Sequence, residues 1–473
     1  MRISQFDLAD QLPPTSWSAA NERELGTKIS RDPRKIVVLD DDPTGIQTVH
    51  EVPVYTGWSL PEMEALIREP SSLCFVLTNT RALSRQQATA TIQEIVGNIC
   101  TASARSGVDF SLISRGDSTL RGHWPLENSV ASKVIAERLG YRFDGEVIIP
   151  CFVEGGRITW DDVHWVASGA DFIAAGETEF AQDHIFAYRS SNLRQWVAEK
   201  TEDEVLAADV LSISASQLRA GGASAVTDLL AQATDCRRIV VNAVTYSDLK
   251  AFTLGLLRAE ALGQRFLFQS AASFVKVRGG ISDRALLTRA ELVSPQGHGG
   301  LVVVGSHVEK TNRQLAAALG LEQVQAIKLD AKCLLSAACE DELRRALNLL
   351  EQTLLQKRVA LVYTSRTVLT ETEGSSEANL RIASLVSRAL VRLIQQMQLR
   401  PGFMISKGGI TSSDIGTEGL GVRRALAAGQ VRPGIPVWFT GEESKFPGLP
   451  LVIFPGNVGD DTTLADLIRQ MLP

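Results

Sequence analysis

The sequence predicts an α/β fold, arranged as two α/β domains with mainly parallel sheets. Three observations carry that expectation. Short apolar, β-branched runs alternate with longer segments whose apolar positions recur at helical spacing. A chain of 473 residues, 44% hydrophobic and 22% charged, is long enough for about two to three domains with full cores. A cluster of breakers, Ser-Pro-Gln-Gly-His-Gly-Gly, interrupts the pattern between 294 and 300 before a fresh strand begins.

Taken in order, residues 1–33 are polar, broken by Pro13, Pro14 and Pro33, and read as an N-terminal extension. They lack the charged and apolar stretches of a secretion signal, and no apolar run approaches the ~20 residues that span a bilayer. No membrane partner and a cytoplasmic location are therefore expected. Residues 34–290 read as a first domain. Its strands are expected at Lys35 to Leu39, Leu73 to Leu77, Phe110 to Ile113, Glu146 to Ile149, Arg238 to Val241 and Phe266 to Phe268, with a helix from Arg85 to Gly107. Residues 300–473 read as a second domain, with strands at Leu301 to Val304, Ala326 to Leu329, Val359 to Tyr363, Phe403 to Ile405 and Leu451 to Phe454, and a helix from Glu340 to Gln356. This alternation is that of βα units.

Forty-eight basic residues against fifty-four acidic ones give a formal charge of −6, and no Lys/Arg run appears, so a nucleic-acid partner is not expected. The six cysteines, at 74, 100, 151, 236, 333 and 339, form no CxxC pair and no zinc pattern with histidine, and read as reduced.

In open α/β sheets ligands collect beyond the carboxyl ends of the strands, so the loops after strands hold the chemistry. The most informative is Arg115-Gly116-Asp117-Ser118-Thr119-Leu120-Arg121-Gly122. Its two guanidinium forks can grip a carboxylate or phosphate and leave Asp117 for a proton or a metal ion. The first loop, Asp40-Asp41-Asp42-Pro43-Thr44-Gly45, sets three carboxylates side by side, which is costly unless a cation answers them. A plainer account has Asp42 and Thr44 capping a turn. A third loop, Pro150 to Thr159, offers Glu154, two glycines and Arg157; its plain alternative is a turn with Glu154 and Arg157 as a surface pair. A fourth, Gly305-Ser306-His307 with Lys310 and Thr311, lacks the second glycine of a P-loop but keeps small residues at a helix start. Fifth come two glycine-bearing loops, Ser406 to Asp414 and Pro455 to Thr462, beside Thr364-Ser365-Arg366.

These motifs, in this order, resemble those of the four-carbon acid sugar kinase family. Asp117-Ser118-Thr119-Leu120-Arg121-Gly122 is the most specific of them, and the resemblance spans nearly the whole chain. It implies a sugar-acid domain, an ATP domain and an active-site cleft between them, with Mg2+ and ATP as cofactors and a small sugar acid such as threonate, erythronate or 3-oxo-tetronate as partner. Catalysis would fall to Asp41 and Asp117, and substrate binding to Asp42, Arg115, Ser118 and Arg121. Nucleotide binding would fall to Ser306, Gly408, Gly409, Thr411 and Gly456. No metal ligand is assigned, and homo-oligomerisation is left open. The chain departs from the family pattern at Pro43 and at Ile410, where an acidic residue is usual; Asp414 is the candidate to replace it.

Two other classes are weighed. A phosphatase of the haloacid dehalogenase kind would use Asp40 as nucleophile, Asp42 as acid and Gly459-Asp460-Asp461 for Mg2+. A sugar-acid sensor would bind without turnover. His50 and His307 read as structural, His123 as a substrate contact, and Trp124, Trp160 and Trp165 as core or wall residues.

Overall fold

The computed structural model describes residues 1–365 and 376–472. Arg366, in the loop after the Val359 to Tyr363 strand, lies outside the described residues. The chain divides into two units: Met1–Thr48 with Val52–Asp283, and Arg284–Pro473 with Val49–Glu51. The strands of the first unit are β1 (Arg2–Ser4), β2 (Lys35–Asp40), β3 (Val52–Tyr55), β4 (Leu73–Leu77), β5 (Phe110–Arg115), β6 (Gly145–Ile149), β7 (Arg157–Trp160), β8 (Val163–Ser168), β9 (Asp171–Ala174), β10 (Leu211–Ile213), β11 (Arg237–Val241) and β12 (Phe266–Ser270). Those of the second are β13 (His298–Val304), β14 (Val324–Leu329), β15 (Val359–Thr364), β16 (Pro401–Lys407), β17 (Arg424–Arg432), β18 (Ile435–Thr440) and β19 (Pro450–Phe454).

In the first unit a parallel sheet runs in the order β10-β11-β6-β12-β5-β2-β4-β3. β2 and β5 are buried along their whole length, as strands covered on both faces must be, which is why both read as unbroken apolar runs. Chain order reverses between them, since β2 leads out to β4 and β3 whereas β5 leads to β12 and β6. The neighbouring strand ends, Asp40 opposite Arg115, therefore diverge and leave a crevice.

A separate antiparallel sheet, β1-β9-β8-β7, belongs to the same unit. Residues 1–33, expected as an extension, supply its strand β1 and the helix Ala19–Arg31, and they count within the first unit. Leu8, Ile158, Trp165 and Ala174 form the small core beneath this sheet.

The second unit repeats the logic. β14-β15-β13-β16-β19 are parallel, and β18 and β17 continue from β19 as an antiparallel hairpin. Its reversal falls between β13 and β16, where Val304 lies opposite Lys407.

Candidate active site

At the first reversal, the loop after β2 meets the loop after β5. The carboxylate of Asp41 takes a two-pronged contact from Arg81, with Nε to Oδ2 at 3.1 Å and Nη2 to Oδ1. Arg81 Nη1 also stands 3.6 Å from Asp42. Asp42 accepts from the Thr44 amide at 2.8 Å and from its hydroxyl, so the expected turn cap is present as well. Asp40 lies 3.6 Å from Arg115, both side chains almost fully buried, and Asp40 Oδ1 and Arg115 Nε have no hydrogen-bond partner.

Asp117 Oδ2 receives Arg121 Nε at 2.6 Å and the Thr119 hydroxyl. Arg121 also reaches Asp183 at 3.8 Å and lies over the Phe180 ring. Gly122, at φ +135°, permits the close approach of this loop to Asp41: a Cβ there would sit 3.3 Å from Asp41 Oδ2. Asp41, Asp42, Arg115, Asp117, Ser118 and Arg121 thus share one end of one sheet.

Electrostatics divides these acids. Burial pushes Asp40 well above the ordinary carboxylate range, beyond what Arg115 recovers, and it raises Asp41 against the pull of Arg81. Burial acts in the same sense on Asp42 and Asp117, but there the attraction of Arg81, joined at Asp117 by Arg121, outweighs it and holds both below their usual values. Glu127, buried and close to Asp41, is pushed up to about 7.

The backbone of the 117–122 loop is fixed from the antiparallel sheet. His164, fully buried on β8, donates from Nε2 to the Ser118 carbonyl at 2.8 Å and accepts at Nδ1 from the Thr159 hydroxyl at 3.0 Å. Burial lowers its pKa to about 4, consistent with a neutral ring in that tautomer. Tyr188 donates to the Thr119 carbonyl at 2.8 Å. Ser118 is held here through its carbonyl. His123 packs edge-on against Phe186 and pairs with the Leu83 carbonyl at 3.0 Å. Glu154 does not pair with Arg157; it takes Tyr246, Ser273 and Lys276 instead.

At the second unit's reversal, Ser306, Gly408, Thr411 and Gly456 come together. Gly408 has φ +119°, and a Cβ there would lie 3.1 Å from Ser306 Cβ and 3.2 Å from Thr411 Oγ1. A Cβ on Gly456 would lie 3.1 Å from Ser306 Oγ. Thr311 donates to Gly456 O at 3.0 Å. Gly409 opens the helix Gly409–Asp414, on which Ile410 is exposed while Asp414 accepts from Ser387 at 2.5 Å. His307 faces Thr364 at 3.1 Å.

Besides His164, sequence reasoning passed over four residues here. Arg81, the hub of the acid cluster, follows β4 in Thr78-Asn79-Thr80-Arg81, and the strand-end rule applied to that loop would have found it. Glu127 gave no signal, lying inside a helix. Lys407 and Lys310 were noticed only as parts of motifs. Lys407 is fully buried, donates to the carbonyls of Pro455 and Gly456, and lies 3.8 Å from the Phe454 ring centroid. Burial, with Lys310 nearby, lowers it to about 7. Lys310 donates to Asn457 O at 3.2 Å. Among the described residues neither lysine has a carboxylate within 4.0 Å.

Comparison with known proteins separates the same two halves of the chain. Residues 36–278 match the family of sugar-binding N-terminal domains, and residues 301–464 match the nucleotide-binding C-terminal domains. D-threonate kinase of Salmonella typhimurium is 26% identical over 448 residues, covering 92% of this chain and 97% of that protein. A Haemophilus influenzae protein of the DUF1537 family has a similar structure, with TM-score 0.63 at 17% identity over 92% of this chain and all of the other. A second structure, from Salmonella typhimurium LT2, gives TM-score 0.64 at 17% identity over 93% of this chain and 100% of that one. With both halves matched, and a kinase relative aligned nearly end to end, the chain belongs to the four-carbon acid sugar kinase family.

Proposed function

We propose that this protein is an ATP-dependent kinase that phosphorylates the terminal hydroxyl of a four-carbon sugar acid of the threonate, erythronate or 3-oxo-tetronate type. The carrying observation is the near end-to-end match to D-threonate kinase, together with the sugar-binding and nucleotide-binding domain families that this chain's residues 36–278 and 301–464 match.

On the sugar side, Arg121 is the better placed fork for the substrate carboxylate, since its side chain is 25% exposed whereas that of Arg115, at 5%, lies against Asp40 in the interior. Asp117 stays ionised at neutral pH and serves as proton acceptor for the reacting hydroxyl, a role that requires hydrogen-bond reach of that oxygen. Asp41 and Asp42 hold Arg81 in the same site, where it can answer negative charge.

On the nucleotide side, the chemistry fits a triphosphate. Gly408 and Gly456 leave space beside Ser306 that a Cβ would fill, Ser406 Oγ is buried without a partner, and two lysines lack carboxylates among the described residues. Ser306, Gly408, Gly409, Thr411 and Gly456 would hold the phosphates, with Lys407 and Lys310 as cations. Mg2+ would arrive with ATP and neutralise phosphate charge. Such an ion needs only one or two carboxylates beside phosphate and water, and no three-ligand cage occurs among the described residues.

The phosphatase reading loses support because its nucleophile must be an ionised carboxylate, and Asp40 is buried and pushed strongly toward its neutral form. The decisive test is purified protein with ATP, Mg2+ and a panel of four-carbon sugar acids, following ADP. Acid-dependent ADP release is expected. Phosphate release from phosphorylated acids without ATP would replace the kinase reading by the phosphatase, and binding without turnover would replace it by the sensor.

A further inference from the structure

The Pro150 to Thr159 segment is a sequence motif that the proposed function leaves without a task, and its arginine is anomalous. In the first unit, every other buried or half-buried arginine has a carboxylate within 4.0 Å: Arg34 and Arg278 share Asp32 and Glu260, and Arg219 and Arg238 have Asp248 and Glu146. In the site, Arg81 has Asp41 and Asp42, Arg115 has Asp40, and Arg121 has Asp117. Arg157 has none among the described residues. Its Nη1 donates to the Gly155 carbonyl, its guanidinium lies 6.0 Å from the Phe152 ring centroid, and its Nε is buried with no partner. A desolvated guanidinium left short of an anion is costly, and proteins seldom keep one unless something arrives to answer it.

Its surroundings indicate what arrives. Arg157 and Thr159 alternate onto the same face of β7, and Thr159 pairs with His164 of β8, whose Nε2 reaches the Ser118 carbonyl, so Arg157 leaves its strand on the side that holds the 117–121 loop. The same antiparallel sheet holds that loop through His164 and the Ser118 carbonyl. Arg157 thus stands on the strand face that holds the loop bearing Arg121, near enough for the two charges to repel, and such like charges are relieved by a shared anion.

We propose that Arg157 is a second arm of the carboxylate clamp, binding the sugar acid's carboxylate together with Arg121. This inference rests on the kinase reading for the identity of the anion and deepens it by naming the group that separates sugar acids from neutral polyols.

The test compares the wild type with Arg157→Met and Arg157→Lys, in KM for D-threonate, KM for ATP, and melting temperature with and without D-threonate. Loss of a charge-assisted contact should raise the D-threonate KM of Arg157→Met by ~30-fold, leave the ATP KM within about twofold, and abolish the D-threonate thermal shift. Its melting temperature without ligand should not fall, because an unanswered charge has been removed; a merely structural arginine would show the reverse. Arg157→Lys, which keeps charge but loses the fork, should fall between the two and decides the matter if the methionine variant does not fold. An unchanged D-threonate KM, or equal losses for acid and ATP, overturns the inference. Should the wild type turn over no acid, the kinase reading fails separately. A D-threonate thermal shift present in wild type and absent in Arg157→Met would then still support the clamp, and no shift in wild type would overturn it.

Discussion

The two sheet reversals of this protein solve similar problems with opposite materials. The first gathers long charged side chains: Asp41, Asp42 and Asp117 against Arg81 and Arg121, with Asp40 and Arg115 behind. The second is made of backbone and small side chains, Gly408, Gly456, Ser306 and Thr411, with Lys407 folded onto the carbonyls of the loop after β19. A sugar acid differs from its competitors in a carboxylate and a few hydroxyls, which only directed side chains can read. A triphosphate offers a run of similar oxygens that backbone amides and cations can cradle. On this view changes in the first site should act through charge, and changes in the second through space.

The largest effect is expected at Asp117. Asp117→Asn keeps shape but removes the proton acceptor and leaves Arg121 underpaired, so kcat should fall by roughly two orders of magnitude or more. Asp41→Asn should cost a comparable factor, because Arg81 loses its two-pronged partner. Steady-state rates decide this, and near-normal turnover in both variants would remove the charge-based account of the first site.

The spatial half is broken most directly at Gly408. An alanine there must hold φ near +119° and place its Cβ 3.1 Å from Ser306, so Gly408→Ala should lose roughly 1–3 kcal/mol of stability. Its ATP KM should rise by about tenfold, equivalent to ~1.4 kcal/mol, while its KM for the sugar acid stays unchanged. A matching rise for both substrates would show that the two sites do not divide the work.

Lys407 sharpens the contrast, since it is the cation of the second site that burial discharges. With its pKa lowered to about 7, most copies are neutral at pH 8, and phosphate oxygens nearby would restore the proton. Nucleotide binding at pH 8 should therefore take up a proton, up to about one per site, seen calorimetrically as a dependence of binding heat on buffer ionisation enthalpy. Lys407→Met should remove that dependence. Binding without proton uptake would place the phosphates elsewhere.

The two sites also differed in how far the sequence disclosed them. The parallel strands were legible because burial on both faces writes them as unbroken apolar runs: Lys35–Asp40 and Leu73–Leu77 stand out without reference to any neighbour. The hairpin β17–β18 was not, because Arg424–Arg432 is rich in alanine and glycine and owes its strand state to its partner. The small antiparallel sheet was hidden in another way: its β7–β8 turn uses Asp161 and Asp162 at positive φ in place of glycine. The glycine loops and the Asp/Arg string announced themselves as motifs after strands. Arg81, Glu127 and His164 did not, since each acquires its place through tertiary contact with a loop distant in sequence.

The smallest effect on turnover belongs to Glu127, whose replacement is read in stability instead. Burial, with the charge of Asp41, raises its pKa from 4.5 to about 7, so between these values the folded state binds a proton that the unfolded chain has released. Its favourable contribution is complete below pH 4.5 and is lost as pH rises through 7. Glu127→Gln, neutral at every pH, escapes that loss. The variant should match the wild type at pH 4 and exceed it at pH 8 by on the order of 3 kcal/mol at most, measured by denaturant unfolding at the two pH values. Asp42 and Asp117, whose pKa values are lowered, pull the wild-type profile the other way, so only the difference between variant and wild type isolates Glu127. A difference that does not change with pH would mean that Glu127 is already ionised in the folded protein, and that the first site carries more negative charge than its arginines answer.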